Sequence, residues 1–73
     1  METSIMEVRE DGMEVELMDG TVWTIHAGDV PKTVLWRPIQ RIIVETGDDD
    51  MYPFTLTNRD TPSPEKVKAS RFL

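Results

Sequence analysis

The sequence predicts an all-β fold, a small antiparallel meander of about six strands that closes into a barrel. Two Asp-Gly pairs, Asp11-Gly12 and Asp19-Gly20, divide the first third of the chain. Apolar and polar residues alternate on both sides of each pair. Alternation with a period of two residues, interrupted by Asp-Gly, is typical of antiparallel hairpins that bury one face. A small sheet with such short connections removes its exposed edges by closing on itself.

The first predicted hairpin turns at Asp11-Gly12. With a loop of these two residues, Val8 lies opposite Val15. Met6 then lies opposite Leu17, and all four apolar side chains share one face. A three-residue loop would mix apolar with acidic side chains on that face. We therefore predict a type I′ turn with positive φ at the glycine, and a four-residue loop, which has the same parity, stays open as the alternative.

The second hairpin has a similar sequence but calls for a different loop. A two-residue loop would place a glutamate opposite Trp23 and bury its carboxylate. A three-residue loop over 18–20 places Val15 opposite Trp23 and Met13 opposite Ile25, which keeps the apolar face intact. Loops of this length are commonly a type I turn followed by a left-handed residue in a bulge. The glycine that ends the loop falls on that left-handed position.

Apolar runs between polar and proline-containing segments predict the remaining strands. The β-branched run 41–46 fits a strand covered on both faces, and Pro53 restricts the strand around it to an edge or a bulge. A helix over 65–73 is the alternative to the last strand. An SH3-like barrel is preferred over an OB-like one because no helix is visible between strands. The predicted strands are 33–36, 41–46, 52–57 and 67–72, with a proline turn at 37–40 and loops at 28–32, 47–50 and 58–64.

Length and composition predict one small domain over residues 1–73. A chain of 73 residues without cysteine has neither a disulfide nor a thiolate metal site to support its core. The missing cysteines favour a reducing, cytoplasmic compartment, with export as the alternative if a signal peptide has been removed. No apolar stretch of the sequence is long enough to span a bilayer.

The net charge of −6 is unevenly distributed. Residues 1–30 contain eight acidic side chains and one basic side chain, whereas residues 31–73 contain six acidic and seven basic ones. Phosphate recognition needs clustered lysine and arginine, so this balance disfavours general nucleic-acid binding. It equally disfavours binding to an anionic membrane surface.

Three short motifs resemble a group of small, uncharacterised bacterial proteins. The resemblance covers about residues 17–60 and implies a compact β domain, with no activity attached. In that group Gly-Asp commonly follows the Trp-x-Pro element, where this chain has Ile39-Gln40. The motifs are Asp19-Gly20-Thr21-Val22-Trp23, Trp36-Arg37-Pro38, and Tyr52-Pro53-Phe54 followed by Leu56-Thr57-Asn58.

No pattern in the sequence predicts catalysis, a metal site or a cofactor. His26 is the single histidine, and its position beside Thr24 predicts a solvated residue on the polar face of a strand. The acidic run 48–50 lacks the alternating ligands and the later glutamate of a calcium loop, so we interpret it as a solvated turn.

The segment around Trp36 supplies the candidate partner site. One register of the proline turn aligns Trp36 with Ile42 and Val44 in the core, and the other leaves it on the opposite face beside Ile43. The core position is favoured for a tryptophan, yet so short a chain has little material to cover Ile43. An exposed patch would suit a protein partner or a weak homodimer. The candidate partner-binding residues are Trp36, Arg37, Ile43 and Tyr52.

These observations favour a non-catalytic protein-interaction or structural module. One alternative is single-stranded nucleic-acid binding by an OB-like sheet, with Trp36, Arg37, Arg41 and Tyr52 as contacts. The other is a small enzyme accessory domain that uses His26 with a nearby carboxylate.

Overall fold

Residues 1–72 are described by the structure, a computed structural model. The expected domain runs to Leu73, which lies outside the described residues. Within 1–72, strands alternate with short turns, and two short helical segments connect the third strand to the fourth. The strands are β1 (Glu2–Arg9), β2 (Glu14–Leu17), β3 (Val22–Ile25), β4 (Arg41–Thr46), β5 (Phe54–Asn58) and β6 (Glu65–Arg71). The helical segments are a 3₁₀ turn (Ala27–Asp29) and helix α1 (Val30–Thr33).

The six described strands form a closed antiparallel barrel, which confirms the predicted all-β fold. Their order around the barrel is β1-β2-β3-β6-β5-β4, with β4 pairing back to β1. The barrel therefore consists of two three-stranded meanders, β1–β3 and β4–β6, joined along two seams. One seam pairs β1 with β4 and the other pairs β3 with β6. Closure leaves no strand of the described barrel without two neighbours.

A bulge in β1 allows this strand to take part in both a hairpin and a seam. Ile5 pairs with Leu17, but Glu7 pairs with Glu16, so Met6 is an extra residue in β1. The predicted pairing of Met6 with Leu17 is therefore wrong. Ile5 is fully buried in its place, and Met6 is half exposed. The bulge bends β1, so that its first residues reach β4 while its last residues stay on β2.

The first hairpin turn follows the prediction. Val8 pairs with Val15. The Met13 N–H donates to the Glu10 carbonyl at 3.0 Å, around Asp11-Gly12. Both residues of the Asp-Gly pair have positive φ, 54° and 98°, as a type I′ turn requires. Glu10 also has a positive φ, 53°, which ends β1 one residue before the turn.

The second turn has the three-residue loop that was predicted. The Leu17 N–H donates to the Thr21 carbonyl at 2.9 Å, and the Gly20 N–H donates to the Leu17 carbonyl at 3.0 Å. Gly20 has a φ of 90°, and Val15 lies opposite Trp23. Parity of the apolar pattern is thus sufficient to distinguish two loops that share an Asp-Gly pair.

The predicted strand at 33–36 is wrong, because this segment belongs to the helical connection. Pro31 lies in the first turn of α1, where its fixed φ favours a helix. The Val34 N–H donates to the Val30 carbonyl at 3.0 Å. Thr33 and Trp36, three residues apart, both point into the core. A helix between β3 and β4 removes the reason for preferring an SH3-like over an OB-like barrel.

The later strands agree more closely with the prediction. The bounds of β4 are those predicted, whereas β5 begins at Phe54 rather than Tyr52, since Pro53 has no N–H to donate. The last segment is a strand, so the helix alternative is wrong. Val67 and Ala69 point into the barrel as predicted, and Lys66 and Lys68 point outward.

One continuous apolar core fills the barrel. Trp23 packs its ring edge-on against Phe54, with centroids 5.0 Å apart. Its indole N–H donates to the Thr21 hydroxyl at 2.8 Å, and that hydroxyl donates to the Asp19 carboxylate at 2.6 Å. The Asp-Gly-x-x-Trp motif therefore fastens the second turn to the core. The buried core residues are Ile5, Val15, Leu17, Trp23, Ile25, Trp36, Ile42, Leu56, Val67 and Ala69.

Candidate functional site

The candidate site is a surface groove between the α1–β4 connection and the β5–β6 loop. Its volume is about 810 Å³, within the range of about 300–1,000 Å³ that is usual for ligand pockets. We call it the Trp36 groove. Its main lining residues are Leu35, Trp36, Arg37, Pro62, Pro64 and Lys66.

Trp36 forms the floor of the groove rather than an exposed patch. Only 3 % of its surface is exposed, because the helical turn before it directs the ring into the core. Its indole N–H donates to Glu65 Oε1 at 2.8 Å. This bond satisfies the one polar group of the ring and ties the α1–β4 connection to the start of β6.

A hydrogen-bond network joins the two walls of the groove. Gln40 Oε1 accepts from the Arg37 backbone N–H at 2.8 Å and from Asn58 Nδ2 at 2.9 Å. Asn58 is fully buried, and its Oδ1 accepts from the Asp60 N–H at 2.9 Å. Asp60 in turn accepts from the backbone N–H and from Nη2 of Arg41, both at 2.8 Å. These bonds hold residues 37–41 and 58–60 in one fixed arrangement.

The carboxylate of Asp60 is fully committed to this network. The side-chain hydrogen bond from Arg41 is the largest cause that lowers its pKa, followed by the backbone hydrogen bond from the same residue. Together they hold the pKa of Asp60 at about 2. Asp60 is therefore ionised at neutral pH, and its charge is already balanced within the chain.

The β5–β6 loop forms the second wall of the groove and contains hydrogen bonds of its own. The Thr61 hydroxyl donates to the Ser63 carbonyl at 2.7 Å and lies 3.3 Å from the Asn58 carbonyl. Pro62 and Pro64 restrict the backbone on either side of Ser63. These contacts and the two prolines restrict the conformations open to this wall.

Two cations of the groove have no partner within residues 1–72. The guanidinium of Arg37 and the ammonium of Lys66 form neither an ion pair nor a hydrogen bond there. Lys32, in contrast, lies 3.6 Å from Asp29 and donates to the Lys66 carbonyl at 3.3 Å. The groove therefore presents positive charge that the chain itself does not neutralise.

The four candidate partner residues do not share one surface. Trp36 and Arg37 line the Trp36 groove. Tyr52 lines a second groove, and Ile43 is half-buried on the outside of β4, opposite Thr57. The patch that required an exposed Trp36 beside Ile43 is not formed, because Trp36 is buried. Their role in partner binding stays a prediction.

Leu35, the two loop prolines and Lys66 were not identified from the sequence as site residues. Leu35 is 71 % exposed at the rim of the groove. These residues come from segments about thirty positions apart, so no local pattern unites them. One signal in the sequence was the presence of both a Trp-x-Pro motif and a Leu-x-Asn motif. Arg37 of the first and Asn58 of the second both donate hydrogen bonds to Gln40.

The second groove, of about 630 Å³, lies beside the acidic loop that follows β4. Asp49 Oδ1 accepts from the backbone N–H groups of Met51 and Tyr52 at 2.9 and 3.0 Å. The Tyr52 bond is the largest cause that lowers the pKa of Asp49. Lys68 Nζ donates to the same carboxylate at 3.4 Å. Asp49 thus closes its own loop, and no set of three metal-ligating side chains occurs in the described part of the chain.

His26 lies in a turn rather than in a strand, which corrects that part of the expectation, and its side chain is 41 % exposed. It follows β3 directly, and its Nδ1 accepts from the Gly28 N–H at 3.1 Å. Its ring meets Tyr52 edge-on, with centroids 5.0 Å apart, and Asp29 Oδ2 lies 4.0 Å from Nδ1. The imidazole therefore caps the 3₁₀ turn that leads into α1.

Comparison with protein-family models, with curated proteins and with solved structures finds no match for this chain. No helix within residues 1–72 has the length and apolar character needed to cross a membrane.

Proposed function

We propose that this chain is a non-catalytic protein-interaction module that binds a short segment of a partner protein in the Trp36 groove. The observation that carries the proposal is a preformed groove whose two walls are joined by hydrogen bonds through Gln40 and Asn58. A site that is already ordered loses little conformational entropy when a ligand binds.

The lining of the groove suits a peptide segment. Leu35 offers an exposed apolar surface at the rim, and Arg37 offers an unpaired guanidinium beside it. Recognition sites in proteins combine apolar contact area with a few placed polar groups in this way. A cytoplasmic setting fits the absence of cysteine from the sequence.

Two alternative functions receive less support. Stacking of single-stranded bases needs exposed aromatic faces, whereas Trp36 is buried and Arg41 is bonded to Asp60. An enzyme accessory role that used His26 Nδ1 would have to break the hydrogen bond that this atom accepts from the Gly28 N–H.

A selection experiment tests the docking site. A library of random twelve-residue segments is displayed and selected against the purified chain, and against Leu35→Gln and Val34→Gln variants. Leu35 lines the groove and Val34 does not, although both side chains are exposed. We expect the wild-type chain and Val34→Gln to enrich the same segments, and Leu35→Gln to lose them.

Nuclear magnetic resonance locates the binding surface of the selected segments. Shift changes should concentrate on the backbone amides of Leu35, Arg37 and Lys66. Enrichment of no segment, or shift changes confined to other surfaces of the barrel, would contradict the proposal.

A further inference from the structure

We infer that the segment bound in the Trp36 groove is acidic and carries an apolar anchor, an assignment that rests on the proposed function. The inference comes from the contrast between the charge of the groove and that of the whole chain. The chain has a net charge of −6, yet three cations and two carboxylates line the groove.

The two carboxylates of the groove leave it with a net positive charge. Asp60 is paired at 2.8 Å with Arg41, which does not line the groove. Glu65 accepts the neutral indole N–H of Trp36 at 2.8 Å and keeps its own charge, but it is one carboxylate beside two cations that have no partner within the described residues. A basic segment would therefore meet a net positive charge in the groove. Placing like charges together in a partly enclosed groove is unfavourable.

The two unpaired cations are well placed to receive carboxylates. Gln40 accepts a hydrogen bond from the Arg37 backbone N–H, so this residue is held at the groove. An arginine binds a carboxylate through two parallel hydrogen bonds, which are stronger than bonds between neutral groups. Lys66 lies on β6, a strand of the closed barrel, and supplies a second positive charge.

The apolar surface of the groove indicates which kind of residue anchors the bound segment. Leu35 is 71 % exposed at the rim, and Trp36 closes the floor beneath it. Covering Leu35 with an apolar side chain removes both surfaces from water and strengthens the neighbouring charge pairs. The occupant is therefore a segment in which a leucine-like residue is flanked by aspartate or glutamate.

A long polyanion fits the surroundings less well than a short acidic segment. Nucleic-acid binding relies on many phosphate contacts, and residues 1–30 present eight acidic side chains against one basic one. A short segment needs only the few cations that line the groove.

Direct binding measurements test the assignment. Three pools of blocked, fluorescently labelled hexapeptides carry leucine at the third position, with the other positions drawn from aspartate and glutamate, from asparagine and glutamine, or from lysine and arginine. Affinities are measured by fluorescence anisotropy at low and high salt, with a twelve-nucleotide oligothymidylate as a fourth probe. We expect the acidic pool to bind at least about tenfold more tightly than the other pools, because hydrogen bonds between charged groups are stronger than those between neutral groups.

Matched variants connect this preference to the groove. Arg37→Gln and Lys66→Gln should each weaken binding of the acidic pool by about five- to tenfold and reduce its salt dependence. Arg59→Gln is the control, since it removes the same charge from an exposed arginine that pairs with Glu2 and does not line the groove. It should leave binding unchanged.

The outcomes separate the inference from the proposed function. Equal or tighter binding of the neutral or basic pool at the groove overturns the acidic assignment and leaves the docking function in place. Tighter binding of the oligothymidylate overturns the assignment in favour of a nucleic acid. Binding of no probe, in a chain that remains folded, overturns both.

Discussion

Ile39 has an unusual backbone conformation for a β-branched residue. Its φ is 78°, and its side chain is 73 % exposed. It occupies the third position of the turn 37–40, after Pro38, where a type II turn requires positive φ and usually has glycine. The Ile39 N–H donates to the Ile5 carbonyl at 2.8 Å, so the barrel holds the turn in place.

Replacing Ile39 with glycine should therefore stabilise the protein. Relief of the left-handed backbone is worth about 1–2 kcal/mol, and the extra freedom of glycine in the unfolded state removes about 0.5–1 kcal/mol of that gain. We expect Ile39→Gly to raise the melting temperature by about 2–8 °C. Met51→Gly, at another exposed apolar residue whose φ is not positive, should lower it. A fall in both variants would show that the turn is not strained.

Asp60 should contribute to the pH dependence of stability. Its pKa is lowered from 3.8 to about 2 in the folded chain, so the folded state binds this proton less readily than the unfolded state does. The contribution of Asp60 to folding stability is complete above the pKa that it has in the unfolded chain. This contribution disappears as the pH falls through the pKa that it has in the folded chain. In Asp60→Asn, the melting temperature should change less between about pH 4 and pH 2 than in the wild type.

Asp50→Asn is the matched control for this measurement. The Asp50 carboxylate forms no hydrogen bond or ion pair with the described residues. An Asp60→Asn profile as steep as that of the control would mean that the Arg41 pair does not persist in solution.

At the scale of elements, the two Asp-Gly turns have different surroundings despite their similar sequences. A Cβ atom on Gly12 would lie 2.8 Å from the Val34 nitrogen, because the end of α1 packs directly on the first turn. The Thr33 hydroxyl also donates to the Gly12 carbonyl at 2.6 Å. Around Gly20 there is open space, with no atom within 4 Å of such a Cβ. Both glycines have positive φ, so they differ in packing and not in backbone strain.

Alanine substitutions should separate these two effects. Gly20→Ala should cost about 1–2 kcal/mol of unfolding free energy, which is the backbone strain alone. Gly12→Ala should cost about 2–5 kcal/mol, because α1 must also move. Urea denaturation measures both. Equal costs would show that α1 does not pack against the first turn.

The stability of the whole barrel depends on a small apolar core. A chain of 73 residues has a total stability of about 4–11 kcal/mol. Trp23 lies on β3 between β2 and β6, opposite Val15 on one side and Arg71 on the other, and its ring packs against Phe54 of β5. It therefore connects the two meanders across the interior of the barrel.

Trp23→Ala should remove a large part of the stability of the domain. The expected cost is about 3–5 kcal/mol, from lost transfer energy and the cavity left behind. Thr21→Val is the matched variant, since it keeps the ring buried and removes the hydroxyl that accepts its N–H; its cost should be about 1 kcal/mol. Thermal unfolding monitored by circular dichroism compares them. A sharp transition near the wild-type temperature in Trp23→Ala would contradict the central position of this ring.

The fold class, most strands and the loop length of both early hairpins could be predicted from the sequence, because alternation and turn residues are local properties. Parity alone distinguished the turn at Gly12 from that at Gly20. The position of the β1 bulge was decided only by the tertiary structure. Ile5 and Met6 are both apolar, so alternation cannot tell which of them faces inward, whereas pairing of β1 with both β2 and β4 can.

The groove was likewise decided by the tertiary structure. Arg37 was identified from the sequence, but the other lining residues Pro62, Pro64 and Lys66 follow it in the chain only after β4 and β5. The predicted strand 33–36 instead contains the last residue of α1 and the turn that follows it, since burying Thr33 and Trp36 together requires helical spacing. Contacts between distant segments depend on how the two meanders close, and closure is set by backbone pairing along the seams, which leaves no periodic signal in the chain.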